Sequence, residues 1–80
     1  MSVESAAVSY MRRIWMGVWK GDVKKVNGTL PVEVAAYIQN RKRKELAELE
    51  NRYDVIIVIH GDPALPPAGG TLDFVKVEEN

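Results

Sequence analysis

A chain of 80 residues, 46% hydrophobic and 28% charged, has room for one small domain, one sheet and few helices. The absence of cysteine excludes a disulfide framework, a thiolate metal site and CxxC redox chemistry. Eleven basic and eleven acidic residues cancel, which argues against a dedicated polyanion binder. They are unevenly spread, however. Residues 1–44 carry nine Lys/Arg and three Asp/Glu, residues 45–80 two and eight, so the halves hold +6 and −6 and can pair within or between chains.

The first pattern is helical, from about Val3 to Trp19, with Ser2 as N-cap, Glu4 in the first turn and Gly21 as the stop. Eleven of these seventeen residues are apolar or aromatic, and they form two rows. Ala7, Met11, Ile14 and Val18 recur at helical spacing, and Val8, Trp15 and Trp19 lie beside them. A sheet in so small a domain shields one row only. Val8, Trp15 and Trp19 are therefore the expected partner-facing residues.

Residues 22–30 read as a short strand around Val23 and Val26, with Asn27-Gly28 as a local turn signal. A second, longer helix is expected from Pro31 to Arg52 or Tyr53, its inward stripe running through Val34, Ala35, Ile38, Lys42, Leu46, Leu49 and Tyr53. Lys42 interrupts that stripe, so its stem should lie along the core with the ammonium outside. Val55 to Ile59, five β-branched residues in succession, has the pattern of a central strand buried on both faces. His60 to Gly70 is an irregular loop, and Thr71 to Val77 a last strand with Leu72 and Phe74 in the core. The expected class is α+β: two helices on a small mixed three-stranded sheet in the order α-β-α-β-β. The first two strands are parallel through a right-handed crossover, and the last two form an antiparallel hairpin. Residues 1–80 make a single domain, structured over 4–77.

No reactive constellation emerges. His60 has no nucleophile at recognisable spacing, and Asp54, Asp62 and Asp73 are explained by turns better than by a cation site. No catalytic or metal-binding residue is assigned. Arg41, Lys42, Arg43 and Lys44 circle a helical turn, so they present a solvated face before a phosphate surface. Arg12, Arg13, Lys24, Lys25, Lys42 and Arg43 are the residues an RNA-binding reading would use. The longest apolar run is too short to span a bilayer and no signal peptide is visible, so a soluble, cytoplasmic protein is expected.

Four segments in order resemble the C-terminal small domain of the ribonuclease E/G family. Pro31, Val32, Val34 and Ala35 match its Pro-Val-x-Val-Ala start, and Asn40, Lys42 and Arg43 its Asn-x-Lys-Arg segment. Leu49, Glu50 and Arg52 match an Ile/Leu-Glu-x-Arg segment before a Val/Ile strand, and Glu4-Ser5, Ser9 and Arg12 the opening of the preceding helix. Arg41 replaces a common Glu, and His60 to Gly70 departs from the family's loop. The resemblance implies a thioredoxin-like shape, here without a cysteine pair. It also implies a non-catalytic role in joining protomers or packing domains of an RNA-processing, single-strand-specific endoribonuclease. The partners would be the rest of that parent or another copy of this chain, with RNA as a further candidate. The magnesium-holding carboxylates and cysteine-rich zinc link of the family lie in other domains, so no cofactor is expected here. A stand-alone hydrolase ranks last.

Overall fold

The computed structural model describes residues 2–66 and 68–78. Helix α1 spans Val3–Trp19, and Ser2 caps it by accepting a hydrogen bond from the Ser5 N–H at 3.1 Å. Ala6, Ala7, Tyr10, Ile14 and Val18 form its buried stripe, with Met11 half-buried beside them. The chain leaves α1 through two left-handed residues, Gly21 at φ 89° and Asp22 at φ 65°, and enters strand β1, Val23–Leu30.

Strand β1 is the centre of the sheet, whose order is β2-β1-β3. It pairs in parallel with β2 (Ile56–Gly61), joining Val26 to Ile57 and Gly28 to Ile59. On its other side it pairs antiparallel with β3 (Thr71–Lys76), joining Val26 to Phe74 and Gly28 to Leu72. A side chain at Gly28 would start 3.0 Å from Ile59 Cδ1 and 3.2 Å from Leu72 Cδ2. Asn27-Gly28 is thus not a turn. The glycine leaves space at mid-strand for side chains from both neighbours.

Two further expectations are corrected here. Val55–Ile59 is not central: β2 is an edge, and Ile56 is 59% exposed although Ile59 is buried. Five β-branched residues signal two covered faces, but the helices cover only one, and the central place goes to the strand whose backbone is paired on both sides. The last two strands also form no hairpin with each other. The segment from Asp62 to Gly70 carries the chain across the end of β1, roughly 10 Å at two strand spacings, which a tight turn cannot span.

The expected second helix is two, which makes three helices in all: α2, Val32–Arg41, and α3, Arg43–Tyr53. Pro31 stands at the N-cap rather than inside the first turn. The break falls on Lys42, at φ −118° and ψ 18°, where the apolar stripe lapses and nothing apolar fastens the chain to the core. Bending there lets Val34, Ala35 and Ile38 of α2 and Leu49 of α3 reach one core with Val26, Leu30 and Ile59. Asp54 ends α3 in the left-handed region at φ 53°.

Both helices also hold the outer edge of β2. The Ile57 N–H donates to the Glu50 carboxylate at 3.0 Å, and the Gln39 side-chain amide donates to the Ile59 carbonyl at 2.6 Å. Replacing Glu50 by Ala leaves the part-buried Ile57 N–H without its partner and is expected to cost about 1–3 kcal/mol in denaturant unfolding, with Glu50→Gln losing less. At the other edge, a Cβ on Gly17 would overlap the Phe74 ring, so α1 approaches β3 as closely as it does only through glycine. Gly17→Val is expected to destabilise by about 1–3 kcal/mol and to cost less in a Phe74→Ala background, a coupling that a double-mutant cycle reads.

Candidate functional site

With Ala6, Tyr10, Ile14 and Val18 of α1 turned to the core, the 100° step of the helix carries Val8, Trp15 and Trp19 outward in one row. The structure leaves all three in solvent, at 46%, 44% and 62% exposure. The two indoles lie one helical turn apart and nearly parallel, with ring centroids 6.1 Å apart and planes 9° from each other. That contact shields part of each ring and leaves their outer faces free. Exposed Met16 lies beyond Trp19 on the same arc and widens the apolar surface. Sequence reading counted Met16 as apolar without placing it in the row. Its spacing from Arg12 and Lys20 was the available signal.

Beside this row an open groove of about 710 Å³ separates α1 from α3. Val8, Met11, Trp15 and Leu49 supply its apolar lining, and Arg12, Glu45, Glu48, Asn51 and Arg52 its polar lining. The groove depends on how α3 is set against α1 after the bend at Lys42, so periodicity along one helix did not reveal it. A second concavity, about 690 Å³, lies between the first turns of α1 and α2 and the β2–β3 loop, with Val3, Ala6, Val34 and Leu65 among its apolar residues.

The basic residues are not gathered into one surface. Arg12 belongs to the groove, while the Arg13 guanidinium sits 5.3 Å from the centre of the Tyr10 ring as a cation–π pair. Lys42 is half-buried at the α2–α3 break, with Arg43 exposed next to it at the start of α3. Lys24 is exposed on β1, and Lys25, half-buried, is paired in register with Ile56 and Val75. These cations occupy three elements and several directions.

His60 is exposed near the end of β2, in register with Thr29. The Asp62 carboxylate accepts the Ala64 N–H at 2.9 Å in a local turn, Asp54 ends α3, and Asp73 sits within β3. Among the described residues, no three histidine or carboxylate side chains come together in a way that suits a metal ion. Among the same residues, no helix is long and apolar enough to cross a membrane.

Sequence comparison agrees with this architecture of three helices on a mixed three-stranded sheet. Ribonuclease E of Haemophilus influenzae is 32% identical over 62 residues, a stretch that is 78% of this chain and 7% of that protein. The chain thus spans a small fraction of the length of the relative it matches. The family model described as "RNase E/G, Thioredoxin-like domain" matches residues 1–73, and on that match the chain belongs to the RNase E/G family, in the portion that forms its thioredoxin-like domain.

Proposed function

We propose that this chain is a non-catalytic domain of a cytoplasmic RNA-processing endoribonuclease of the E/G type, and that it contributes to oligomerisation or interdomain packing through the outer face of α1. The observation that carries the reading is the exposed, parallel Trp15–Trp19 pair beside an apolar groove. Two half-exposed indoles at the surface of a small domain represent apolar area that water solvates poorly, and tryptophan is enriched among residues that dominate interface energetics. The groove adds a concave surface next to this convex one, with carboxylates of α3 and guanidinium groups of both helices to fix orientation. The remainder of the parent polypeptide, or another protomer of it, is the partner this reading assigns. RNA cleavage, the magnesium it uses and the zinc link belong on this reading to other parts of the parent.

A second reading, a small RNA-binding module, draws on Arg12, which lies among the exposed aromatic residues and could place a phosphate while a base stacks on an indole. The scatter of Arg13, Lys42 and Arg43 over other surfaces favours the packing reading.

In the parent enzyme, Trp15→Ala combined with Trp19→Ala is expected to weaken protomer or domain association about tenfold or more, read by sedimentation equilibrium, while catalysis per assembled enzyme persists. Unchanged association would refute the role of this face. Titration of the 80-residue chain with labelled single-stranded RNA is expected to show no saturable binding at low salt. Binding that falls steeply with added salt, and that Arg12→Ala weakens, would establish the second reading instead.

A further inference from the structure

The two edges of the sheet are finished differently. At the β2 edge the outward N–H of Ile57 and C=O of Ile59 are taken by helix side chains, Glu50 and Gln39, which blocks a foreign strand from adding there. At the β3 edge, among the described residues, no side chain hydrogen-bonds the strand, and β3 is terminal in the sheet. Val58, between the outward Ile57 and Ile59, bonds Val26 and Gly28 of β1, so Lys25, Asn27 and Thr29 bond β3 opposite Val75, Asp73 and Thr71. The N–H and C=O groups of Leu72, Phe74 and Lys76 are left directed away from the sheet.

Helix α1 overhangs this edge. It lies along β3, since a Cβ on Gly70 would overlap the Tyr10 hydroxyl and one on Gly17 the Phe74 ring. Turning from core-facing Ile14 past Gly17, the 100° step of the helix brings Arg13 and Lys20 next, on the flank beyond the strand. Both are exposed, and the Arg13 guanidinium is drawn along that flank by its contact with the Tyr10 ring, 5.3 Å from the ring centre. The two cations are about 10 Å apart along the helix axis. Lys76, exposed on the same face of the sheet as Leu72 and Phe74, adds a third. Asp73 points to the opposite face, and among the described residues none of the three cations forms an ion pair. Free main-chain groups thus run beside a row of positive charge that nothing nearby neutralises.

We infer that the β3 edge binds an extended acidic segment of another polypeptide, which adds to the sheet as a fourth strand. Backbone pairing supplies attachment, and the side chains at every second position supply selectivity. One set of alternate side chains turns to the helix-covered face and meets Arg13, Lys20 and Lys76, so carboxylates at that period are complementary. The other set lies beside Thr71, Asp73 and Val75, where the Asp73 carboxylate disfavours further negative charge. The occupant therefore carries Asp or Glu at alternate positions with uncharged residues between. The three strands of this chain hold one carboxylate among them, Asp73, so none of them has this pattern and the occupant is a different polypeptide. The edge is turned well away from the Trp15–Trp19 row, and the inference stands apart from the packing role proposed above.

The probe is a labelled, end-capped peptide of alternating Thr and Glu, about eight residues long. Fluorescence anisotropy at low salt is expected to show saturable binding to the 80-residue chain, and none for the Thr-Lys counterpart. The amides of Leu72, Phe74 and Lys76 are expected to exchange with deuterium more slowly once the probe is bound. Arg13→Glu with Lys20→Glu is expected to weaken binding about tenfold or more. Arg41→Glu with Lys44→Glu, the same charge change on exposed residues elsewhere, and Trp15→Ala with Trp19→Ala are expected to leave it unchanged. N-methylating the probe at its Thr or at its Glu positions keeps its charge, and one of the two is expected to abolish binding while the other is tolerated, because only alternate amides of an added strand donate to β3. Absence of saturable binding, equal losses from the two charge variants, or equal effects of the two methylations would each overturn the inference. So would displacement of the probe by single-stranded RNA at lower concentration, which assigns the cations to phosphate.

Discussion

The domain is organised by one strand whose backbone is bonded on both sides. β1 takes β2 in parallel on one flank and β3 in antiparallel on the other, and its alternating side chains decide which face the helices cover. Val26 and Leu30 point to the helices and are fully buried, while Lys25, Asn27 and Thr29 point to the other face and stay half-exposed. Gly28, between the two buried residues, makes room for Ile59 and Leu72 and so draws the flanking strands onto the same core. With only three helices available, one face of the sheet and one face of α1 remain uncovered. The uncovered row of α1 is a consequence of this shortage of covering surface.

The same shortage explains how the parts are fastened. Helices α2 and α3 contribute apolar side chains to the core and also supply one polar side chain each to the exposed backbone of β2. These bonds hold an edge strand that has only one neighbour. On the opposite flank β3 is secured by β1, by the close approach of α1 at Gly17, and by the bond from the Val77 N–H to the Asp22 carbonyl at 2.7 Å. The two flanks therefore differ in what they present to the surroundings. One is finished with side chains and the other with main chain.

Much of this was legible in the sequence, for reasons that can be named. The cap at Ser2, the two apolar rows of α1 and the exposure of Val8, Trp15 and Trp19 follow from helical spacing and the small size of the chain. The α+β class follows from the order of the segments. Strand order was not legible, because side-chain pattern reports burial whereas centrality is a property of backbone pairing. Val55–Ile59 satisfied the first signal and β1 the second. The break at Lys42 was half visible, as a cation in an apolar stripe, but neither proline nor glycine marked it. The groove beside Trp15 was hidden because it arises only when α3 is set against α1, whereas the divergence of neighbouring cations, Arg12 from Arg13 and Lys42 from Arg43, already follows from the helical step.

The bend at Lys42 has a dynamic consequence. Beyond it, α3 is anchored by a single buried side chain, Leu49, together with half-buried Leu46 and Tyr53 and the Glu50 bond. α2, by contrast, is anchored by Val34, Ala35 and Ile38. Opening free energies scale with such anchorage, so of the helices α3 is the one expected to exchange its hydrogen-bonded amides with deuterium soonest and to swing outward at least cost. One wall of the cleft beside the indoles is thus also the most easily displaced helix of the molecule. The cleft can widen around an incoming side chain without disturbing the sheet beneath.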